Sequence, residues 1–311
     1  MSENSINPRV DEYITLLKIR NFADRTIKET RRKIGKFIEY LATQEITRID
    51  GIIKETVLTY QSEIYHTLNA KGKPNTVGHQ NSMLSVVKQF TRFLHERDYL
   101  VSDPCRDIQY AKQPKSLPRG VLTPSEARKI IHAPDTKTAI GYRDRTILEV
   151  LYTSGIRKDE VNNLTLNDVD YQDGFLRIIE GKGRKDRIVP LGRIPCRYLK
   201  NYIESVRSEF IKDPYNSHLF LSLRGNKLSK NVVWELVKKY TKKAKIRKNV
   251  YPHTFRHTCA TAMLKNKADI NTVRKLLGHE SLTTTQIYTH LTITDLKAVH
   301  KRCHPREKDK L

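Results

Sequence analysis

The sequence predicts a mainly α-helical protein of the α+β class, with one small β-hairpin and two domains. Three observations support this prediction. Residues 9–97 repeat apolar side chains at helical spacing throughout. A basic, proline-containing stretch without periodicity follows at 107–120. Further on, two β-rich runs at 175–180 and 187–191 flank a glycine-bearing turn within an otherwise helical second half.

The composition indicates a globular protein with a polyanionic partner. Hydrophobic residues make up 38% of the 311 residues, enough for two domain cores. A formal net charge of +24 makes nucleic acid the expected partner, because so many lysines and arginines attract polyanions. No apolar run reaches the roughly 18 residues of a membrane-spanning helix, and the first residues do not form a signal peptide pattern. We therefore expect a cytoplasmic protein without a membrane partner.

The cysteines indicate neither disulfides nor a zinc site. They are widely spaced and contain no Cys-x-x-Cys pair: Cys105, Cys196, Cys259 and Cys303. We expect reduced thiols, as is usual in the cytosol.

Helices are clearest in the first half at 24–41, 54–68 and 76–96. Asp24 is a favourable N-cap for the first of them. The polar face of this helix carries a basic stripe of Arg25, Lys28, Arg32 and Lys36. A solvated face is the ordinary interpretation of such a stripe, but the net charge of the chain favours contact with DNA phosphates. Because this half contains no acid–base or metal constellation, we expect a four-helix DNA clamp without chemistry of its own.

A linker is expected at residues 109–121, between a helical domain at 1–108 and a second domain at 122–311. Its basic residues, which are suited to following a DNA backbone, are Lys112, Lys115 and Arg119. The second domain opens with a predicted helix at Thr123-Pro124-Ser125-Glu126. This tetrapeptide places an N-cap, a proline and a glutamate in the order of a capping box.

Arg157 is expected at a helix N-terminus, because a helix at 142–152 ends at Gly155 and a new one begins beyond it. Backbone N–H groups at such a terminus favour an anion. Taken alone, Arg157 would be interpreted as an exposed surface arginine. Glu160 is expected to cap this turn or to pair with a cation.

The predicted hairpin carries Lys182 on its turn. A lysine on a mobile turn can give a proton to the leaving oxygen of a cleaved phosphodiester. Arg184 and Lys185 compete for this role, and without other motifs the turn would be a charged hairpin tip.

Two further helices are predicted at 195–210 and 229–244. A dense basic cluster lies at the end of the second, and its members indicate nucleic acid binding: Lys238, Lys239, Lys242, Lys243, Lys245, Arg247 and Lys248.

The strongest cluster runs from His253 to Tyr288. His253 and Arg256 are three residues apart on a predicted helix, so both can contact one phosphate. A second helix at 270–277 ends at Gly278, which places His279 on the turn that follows. Tyr288 follows nine residues later. A tyrosine hydroxyl attacks phosphorus when surrounding cations stabilise the charge that develops on the phosphoryl oxygens.

A zinc site is the main alternative for this cluster, because His253 and His257 are four residues apart. No glutamate lies between them, and Arg256 would repel a dication. We therefore expect no metal, and we expect His257 to face the helix packing.

Six residues occur in the order and context of the catalytic set of the tyrosine recombinase, or phage integrase, family, and the layout resembles its Xer-like members. They are Arg157, Lys182, His253, Arg256, His279 and Tyr288. The resemblance implies an N-terminal four-helix SAM-like core-binding domain and a C-terminal tyrosine recombinase catalytic domain. It also implies site-specific DNA recombination through a 3′-phosphotyrosine and a Holliday junction, without metal, ATP or another cofactor.

The same resemblance implies partners. They are double-stranded DNA with an inverted-repeat core site, and further recombinase subunits in a homo- or hetero-tetramer joined through the C-terminal segment. A partner recombinase or an accessory protein is compatible with it, as is association with the nucleoid. A helix predicted from Thr292 has an apolar stripe that packs either on its own domain or on a neighbour, and the family favours the neighbour. The basic tail at 301–310 is expected to fray.

Other functions remain open at this point. A type IB topoisomerase would use the same chemistry to relax DNA, and an architectural DNA-binding protein would have an inert site. A metal-dependent nuclease or transposase would need ligands such as Asp168, Asp170 and Asp173, which lie in an expected turn. Within the family, both dimer resolution and mobile-element integration fit the sequence, and the basicity favours a mobile element.

Overall fold

The computed structural model describes residues 5–69, 72–113, 121–179, 186–229, 231–278 and 290–309. The chain divides into two compact units, Met1–Ser116 and Leu117–Leu311. The division falls between residues 109 and 121, the stretch for which the sequence predicts a linker.

The N-terminal unit is built from four helices around one apolar core: α1 (Ile6–Ile19), α2 (Asp24–Thr43), α3 (Lys54–His66) and α4 (Val77–Glu96). Their inward faces follow the predicted spacing, with Ile34, Phe37 and Phe90 fully buried. The N-cap prediction for α2 is wrong by one residue. Ala23 is the N-cap, and Asp24 lies in the first turn, where its charge still favours the helix dipole.

The second unit contains the remaining helices: α5 (Pro124–Ile131), α6 (Ala139–Ser154), α7 (Lys158–Asn163), α8 (Arg193–Asn201), α9 (Val232–Lys243), α10 (Pro252–Lys265), α11 (Ile270–Leu277) and α12 (His290–Cys303). The predicted capping box of α5 is present, because the Thr123 hydroxyl accepts from the Glu126 N–H at 3.2 Å. The Glu126 carboxylate accepts from the Thr123 N–H at 2.8 Å in return.

A small antiparallel sheet lies in this unit, as the sequence predicts, but it has three strands: β1 (Val169–Asp170), β2 (Phe175–Ile178) and β3 (Arg187–Pro190). In the hairpin, Leu176 is opposite Val189, and both are fully buried. The fold class predicted from the sequence, mainly helical α+β, is therefore confirmed. None of the helices in the described ranges is both long and apolar enough to cross a membrane.

The helix predicted at 195–210 is interrupted. The α-helical part, α8, ends at Asn201, and a π-helical turn and a 3₁₀ turn continue it to Phe210. Phe210 and Tyr202 are buried in these turns, so apolar periodicity persists where the hydrogen-bond pattern changes. The helix predicted at 229–244 is α9, which begins at Val232, three residues after the predicted start.

Residues 301–309 of the C-terminal tail pack on the domain, contrary to the expectation that the tail frays. His304 is fully buried, and its Nε2 donates to the carbonyl oxygen of Tyr152 at 3.2 Å. The Arg306 guanidinium, 5% exposed, donates to the buried Glu149 carboxylate at 3.0 Å. Burial makes an unpaired charge costly, so this ion pair holds the tail against α6.

Helix α12 packs on its own domain in this structure. His300 donates from Nε2 to the carbonyl oxygen of Thr153 at 3.0 Å, and Leu296 and Cys303 lie in the core beside β3 and α10. Burial lowers the pKa of His300 to about 4, so the imidazole is neutral at pH 7.

Candidate active site

Arg157 lies in the tight connection between α6 and α7. Gly155 ends α6 with φ of 61°, a left-handed conformation that glycine adopts without strain. A Cβ at this glycine would also lie 2.7 Å from the Leu277 side chain. Arg157 is the N-cap residue of α7, so its predicted place at a helix N-terminus is confirmed.

Glu160 is the acceptor at the centre of this site. One carboxylate oxygen accepts from the Arg157 N–H at 2.7 Å, and the other accepts from the Arg157 guanidinium at 2.9 Å. Each oxygen also accepts from the Arg187 guanidinium, at 2.7 and 2.9 Å. Burial alone would raise the pKa of Glu160, but the hydrogen bonds and charge of Arg187, with the hydrogen bonds of Arg157, lower it to about 2. Glu160 thus caps the turn and pairs with cations, as expected.

Arg187 is a site residue that the sequence analysis missed. It begins β3 and is 4% exposed. A signal was available, because Arg187 and Val189 are two residues apart on a strand and therefore share its buried face. A charged residue on the buried face of a strand indicates a buried ion pair.

Helix α11 ends against three arginines. Its last carbonyl oxygens have no partner inside the helix. Arg187 donates from Nε to the carbonyl oxygen of Leu276 at 3.4 Å, Arg256 donates to that of Leu277, and Arg157 donates to that of Gly278 at 2.8 Å. The site is therefore assembled from segments that are far apart in sequence and meet at one helix end.

Arg256, on α10, links the two tight turns of the site. Its guanidinium also donates to the carbonyl oxygen of Gly155 at 2.9 Å, and the residue is 3% exposed. Burial, then the nearby charges of Arg157 and Arg187, lower the pKa of Arg256 to about 10. Arg256 remains protonated at pH 7, so among the described residues of this site the charges of Arg157, Arg187 and Arg256 lie near the one carboxylate of Glu160. This positive excess favours an anion.

His253 precedes Arg256 on α10 by three residues, as predicted, and it is exposed. Partial burial, then the charges of His257, Arg256 and Arg157, lower its pKa. A neutral imidazole at pH 7 can donate one hydrogen bond to a phosphate oxygen. His257 is also exposed and packs edge-on against His253 with ring centroids 4.7 Å apart, so the expectation that it faces the helix packing is wrong.

The other catalytic candidates, Lys182, His279 and Tyr288, lie outside the described residues, as do Arg184 and Lys185. The described elements around them are the strands β2 and β3, Gly278 and α12.

The aspartates considered as metal ligands have other partners. Asp168 accepts from the N–H and hydroxyl of Thr165 at 2.8 and 2.7 Å, which caps a short 3₁₀ turn. Asp170 lies in β1 and accepts from the N–H of Asp173 at 2.7 Å. Over the described ranges, no three His, Cys, Asp or Glu residues are grouped suitably for a metal ion.

The predicted DNA-contacting residues are exposed wherever they are described: Arg25, Lys28, Arg32 and Lys36 on α2, Lys112, and Lys242 and Lys243 on α9. Lys115 and Arg119 lie outside the described residues. Close to the α9 cluster, Trp234 and Tyr251 stack with ring centroids 6.2 Å apart, and the Lys238 ammonium lies 3.9 Å from the Tyr251 centroid. Tyr251 is the N-cap residue of α10, so this aromatic pair adjoins the helix that carries His253.

The acidity of Glu160 gives a testable pH dependence. Its pKa is about 2 in the folded protein and 4.5 ordinarily, so its stabilising effect is present above pH 4.5 and is lost as the pH falls toward 2. This difference corresponds to about 3 kcal/mol. We expect Glu160→Gln to lower the urea midpoint at pH 7 and to flatten its dependence on pH between 4.5 and 2.

The measurement is urea unfolding followed by circular dichroism at several pH values. Glu29→Gln serves as the control, because it removes an exposed carboxylate that pairs with Arg32 on α2. An unchanged pH dependence in Glu160→Gln would show that Glu160 is not the acidic group that stabilises the fold.

Comparisons with known proteins agree with this geometry. The model of the phage integrase family matches residues 120–294. The tyrosine recombinase XerD of Staphylococcus epidermidis strain RP62A is 35% identical over 302 residues, which cover 97% of this chain and 100% of that protein. A lambda integrase tetramer bound to a Holliday junction has a similar fold, with a TM-score of 0.67, 18% identity and coverage of 100% of this chain and 81% of the other. The recombinase XerH in a post-cleavage complex with a palindromic difH substrate has a TM-score of 0.68, 20% identity and coverage of 94% and 83%.

Proposed function

Because the chain belongs to the phage integrase family and is a site-specific tyrosine recombinase, we propose that Tyr288 is its nucleophile. The Tyr288 hydroxyl gives up its proton to solvent and its oxygen attacks a DNA phosphorus, which forms a 3′-phosphotyrosyl bond while the bond to the 5′ oxygen breaks. Lys182 donates a proton to that leaving oxygen. A 5′ hydroxyl of the partner strand then attacks the phosphotyrosine and releases Tyr288. Two such exchanges pass through a Holliday junction.

The observation that most supports this assignment is the fixed pair of guanidinium groups at Arg157 and Arg256. Each is held by backbone carbonyls at helix ends, and Arg157 is held in addition by Glu160. Donors that are positioned before the reaction stabilise developing phosphoryl charge without reorganisation. His253, and in our proposal His279, add hydrogen bonds to the same phosphate. The energy of the broken bond is kept in the phosphotyrosine, so the proposed cycle uses neither ATP nor a metal ion.

The N-terminal unit supplies DNA binding in this proposal. Residues 1–108 form the core-binding clamp, 109–121 the linker and 122–311 the catalytic domain. The exposed stripe on α2 and the lysines at the end of α9 are suited to phosphate contacts, which fix position without reading sequence. We propose an inverted-repeat core site as the substrate, because each half-site then binds one subunit.

The decisive experiment is covalent capture. The protein is incubated in EDTA with random nicked duplex fragments, unattached DNA is digested, and the attached fragments are sequenced. We expect a recurrent inverted repeat joined through its 3′ phosphate to Tyr288. Attachment without sequence preference would instead indicate a topoisomerase. Binding without any attachment would contradict the proposed chemistry.

We also propose that subunits assemble through the C-terminal segment into a homo- or hetero-tetramer on DNA, with a partner recombinase or accessory protein where the site requires one. The segment packs on its own domain through the buried Glu149 and the carbonyls of Tyr152 and Thr153. The same segment of a neighbouring subunit would carry the same donors, His300, His304 and Arg306, to these three acceptors. Native gels of the captured site should therefore show complexes of more than two subunits, and Glu149→Gln should weaken them.

The single tryptophan of the chain provides a direct test of the α9 surface. Trp234 is 43% exposed beside Lys238 and Tyr251. We expect a random-sequence duplex to change the fluorescence of Trp234 in a saturable manner. The affinity should weaken as salt is added, because DNA-bound lysines release counterions.

Replacing Lys242 and Lys243 together by alanine should lower the slope of log affinity against log salt by about 2.

Lys129→Ala is the matched control, because Lys129 is exposed on α5 and outside the predicted contacts. An unchanged salt slope in the Lys242 and Lys243 variant would remove these two lysines from the DNA interface.

A further inference from the structure

We propose that Arg187 is a positioning residue for strand cleavage, acting through Glu160 and Gly278 on the orientation of Arg157. This inference rests on the proposed function, because it concerns how the phosphate-binding arginine is held. The described acceptors of the Arg157 guanidinium are the Glu160 carboxylate and the Gly278 carbonyl oxygen. Arg187 contacts both of these residues.

The first contact fixes the carboxylate. Arg187 donates to both oxygens of Glu160, at 2.9 and 2.7 Å, in a two-pronged pair. The same two oxygens accept from Arg157, one from its backbone N–H and one from its side chain. A carboxylate held by the planar fork of an arginine has one orientation. The direction in which Glu160 holds Arg157 is therefore set by Arg187.

The second contact fixes the turn at the end of α11. Gly278 has φ of 64°, and a Cβ built on it would lie 3.1 Å from the Cδ and Nε atoms of Arg187. Arg187 also donates to the carbonyl oxygen of Leu276 in the same turn. Its side chain thus packs against the residue whose carbonyl oxygen accepts from Arg157.

The partners of the two arginines separate their roles. Both prongs of the Arg187 fork donate to the Glu160 carboxylate, whereas one prong of Arg157 does so, and the Arg157 side chain is 27% exposed. A phosphate of DNA can approach Arg157 from solvent, but it can reach Arg187 only after the ion pair with Glu160 opens. Arg187 is therefore a positioning residue, while Arg157 is the candidate for direct phosphate contact.

Loss of Arg187 has a specific expected consequence. Both Glu160 oxygens would lose their bonds from Arg187 and keep only those from Arg157, so the carboxylate would turn toward the fork of Arg157. A tighter pair between these two residues would draw the guanidinium away from the phosphate and neutralise its charge. The cleavage step would slow, while DNA affinity, which is distributed over many phosphate contacts, would change little.

The test uses a nicked suicide duplex that carries the site recovered by covalent capture. For Arg187→Met, we expect the first-order cleavage rate to fall about 100-fold and the affinity for DNA to stay within about threefold. Arg187→Lys, which keeps the charge without the fork, provides a second variant with an intermediate rate. In a Glu160→Gln background, Arg187→Met should lower the cleavage rate by less than about a further threefold, because the two residues act as one unit.

Two controls separate positioning from general stabilisation and from an effect on the hairpin lysine. Arg143 is a matched buried arginine that pairs with Asp144 at 2.7 Å and donates to a backbone carbonyl. Arg143→Met should lower thermal stability to a similar extent and retain cleavage. A 5′-bridging phosphorothiolate has a leaving group that needs no proton. It should restore cleavage by Lys182→Ala but not by Arg187→Met.

The outcomes are distinct. If the 5′-bridging phosphorothiolate restored cleavage by Arg187→Met, Arg187 would act on the leaving group and the proposal would be overturned. Equal cleavage losses in the Arg143 and Arg187 variants would overturn it as well, because both would then reflect stability alone. A wild-type protein that attaches to no DNA would instead reject the proposed function itself.

Discussion

Replacing Tyr288 by phenylalanine is expected to abolish covalent attachment to DNA while leaving DNA binding within about twofold of wild type. Phenylalanine keeps the ring and removes the hydroxyl oxygen that would form the phosphotyrosyl bond. The arginines that hold the phosphate in our proposal are unchanged, so we expect the bound complex still to form. The measurement is the fraction of a nicked, labelled duplex that remains with the protein after denaturation. A parallel gel-shift titration gives the affinity.

Tyr251→Phe is the matched control for this variant. Tyr251 is 39% exposed and lies two residues before His253, so it is a second hydroxyl close to the candidate site in sequence. Its variant should attach to DNA at the wild-type rate. If attachment persisted in Tyr288→Phe and disappeared in Tyr251→Phe, the nucleophile assignment would be wrong.

The Tyr288→Phe variant should bind a synthetic Holliday junction but leave it unresolved.

The parts of the fold that the sequence predicted well depend on local chemistry. Thr123 and Glu126 cap α5 within four residues, and Gly278 ends α11 in the left-handed conformation that its sequence position implies. The apolar faces of α2 and α4 follow the helical period. In each case, the residues that decide the structure lie within about one helical turn of one another.

The parts that the sequence did not predict depend on contacts between distant segments. Arg187 and Glu160 are 27 residues apart, Arg157 and Gly278 are 121 apart, and Arg306 and Glu149 are 157 apart. No periodicity relates such pairs. The C-terminal tail illustrates the result, because its basic composition is typical of a frayed end while Arg306 is buried on a carboxylate.

In the candidate site too, the sequence predicted the local features but not the contacts between distant segments. Local spacing sufficed to place His253 and Arg256 on one helix, and a glycine before Arg157 sufficed to place it at a helix start. Local spacing did not indicate that the Arg256 side chain points inward and donates to the carbonyl oxygens of Gly155 and Leu277. These two contacts depend on how the ends of α6 and α11 meet. The sequence therefore predicted which residues act, whereas the structure supplied how the arginines are held.

Arg256→Met is expected to cause the second largest loss. The variant removes a donor to the phosphate in our proposal, for which we expect cleavage to fall by about 1,000-fold. It also leaves the carbonyl oxygens of Gly155 and Leu277 without this donor. Unsatisfied buried carbonyls are costly, so the free energy of unfolding should fall by about 3 kcal/mol. Both effects arise from one side chain and must be measured apart.

Arg207→Met is the control for the structural effect. Arg207 is 6% exposed and donates to the carbonyl oxygens of Asn216 and His218 at 2.6 and 2.7 Å, so it has the same kind of backbone partners elsewhere in the domain. We expect comparable destabilisation and normal cleavage at a temperature where each variant is folded. Arg256→Lys should recover part of the stability, because an ammonium reaches one carbonyl, but little of the rate, because it has no fork.

The decisive comparison is the cleavage rate of each variant under conditions in which circular dichroism shows it to be folded. If Arg256→Met then cleaved within about tenfold of wild type, Arg256 would be only a helix-end donor, since losing a true transition-state donor costs more. If it bound DNA normally and cleaved about 1,000-fold more slowly, its two roles would be linked. The two carbonyls that hold the buried guanidinium would then also fix the direction in which it meets the phosphate.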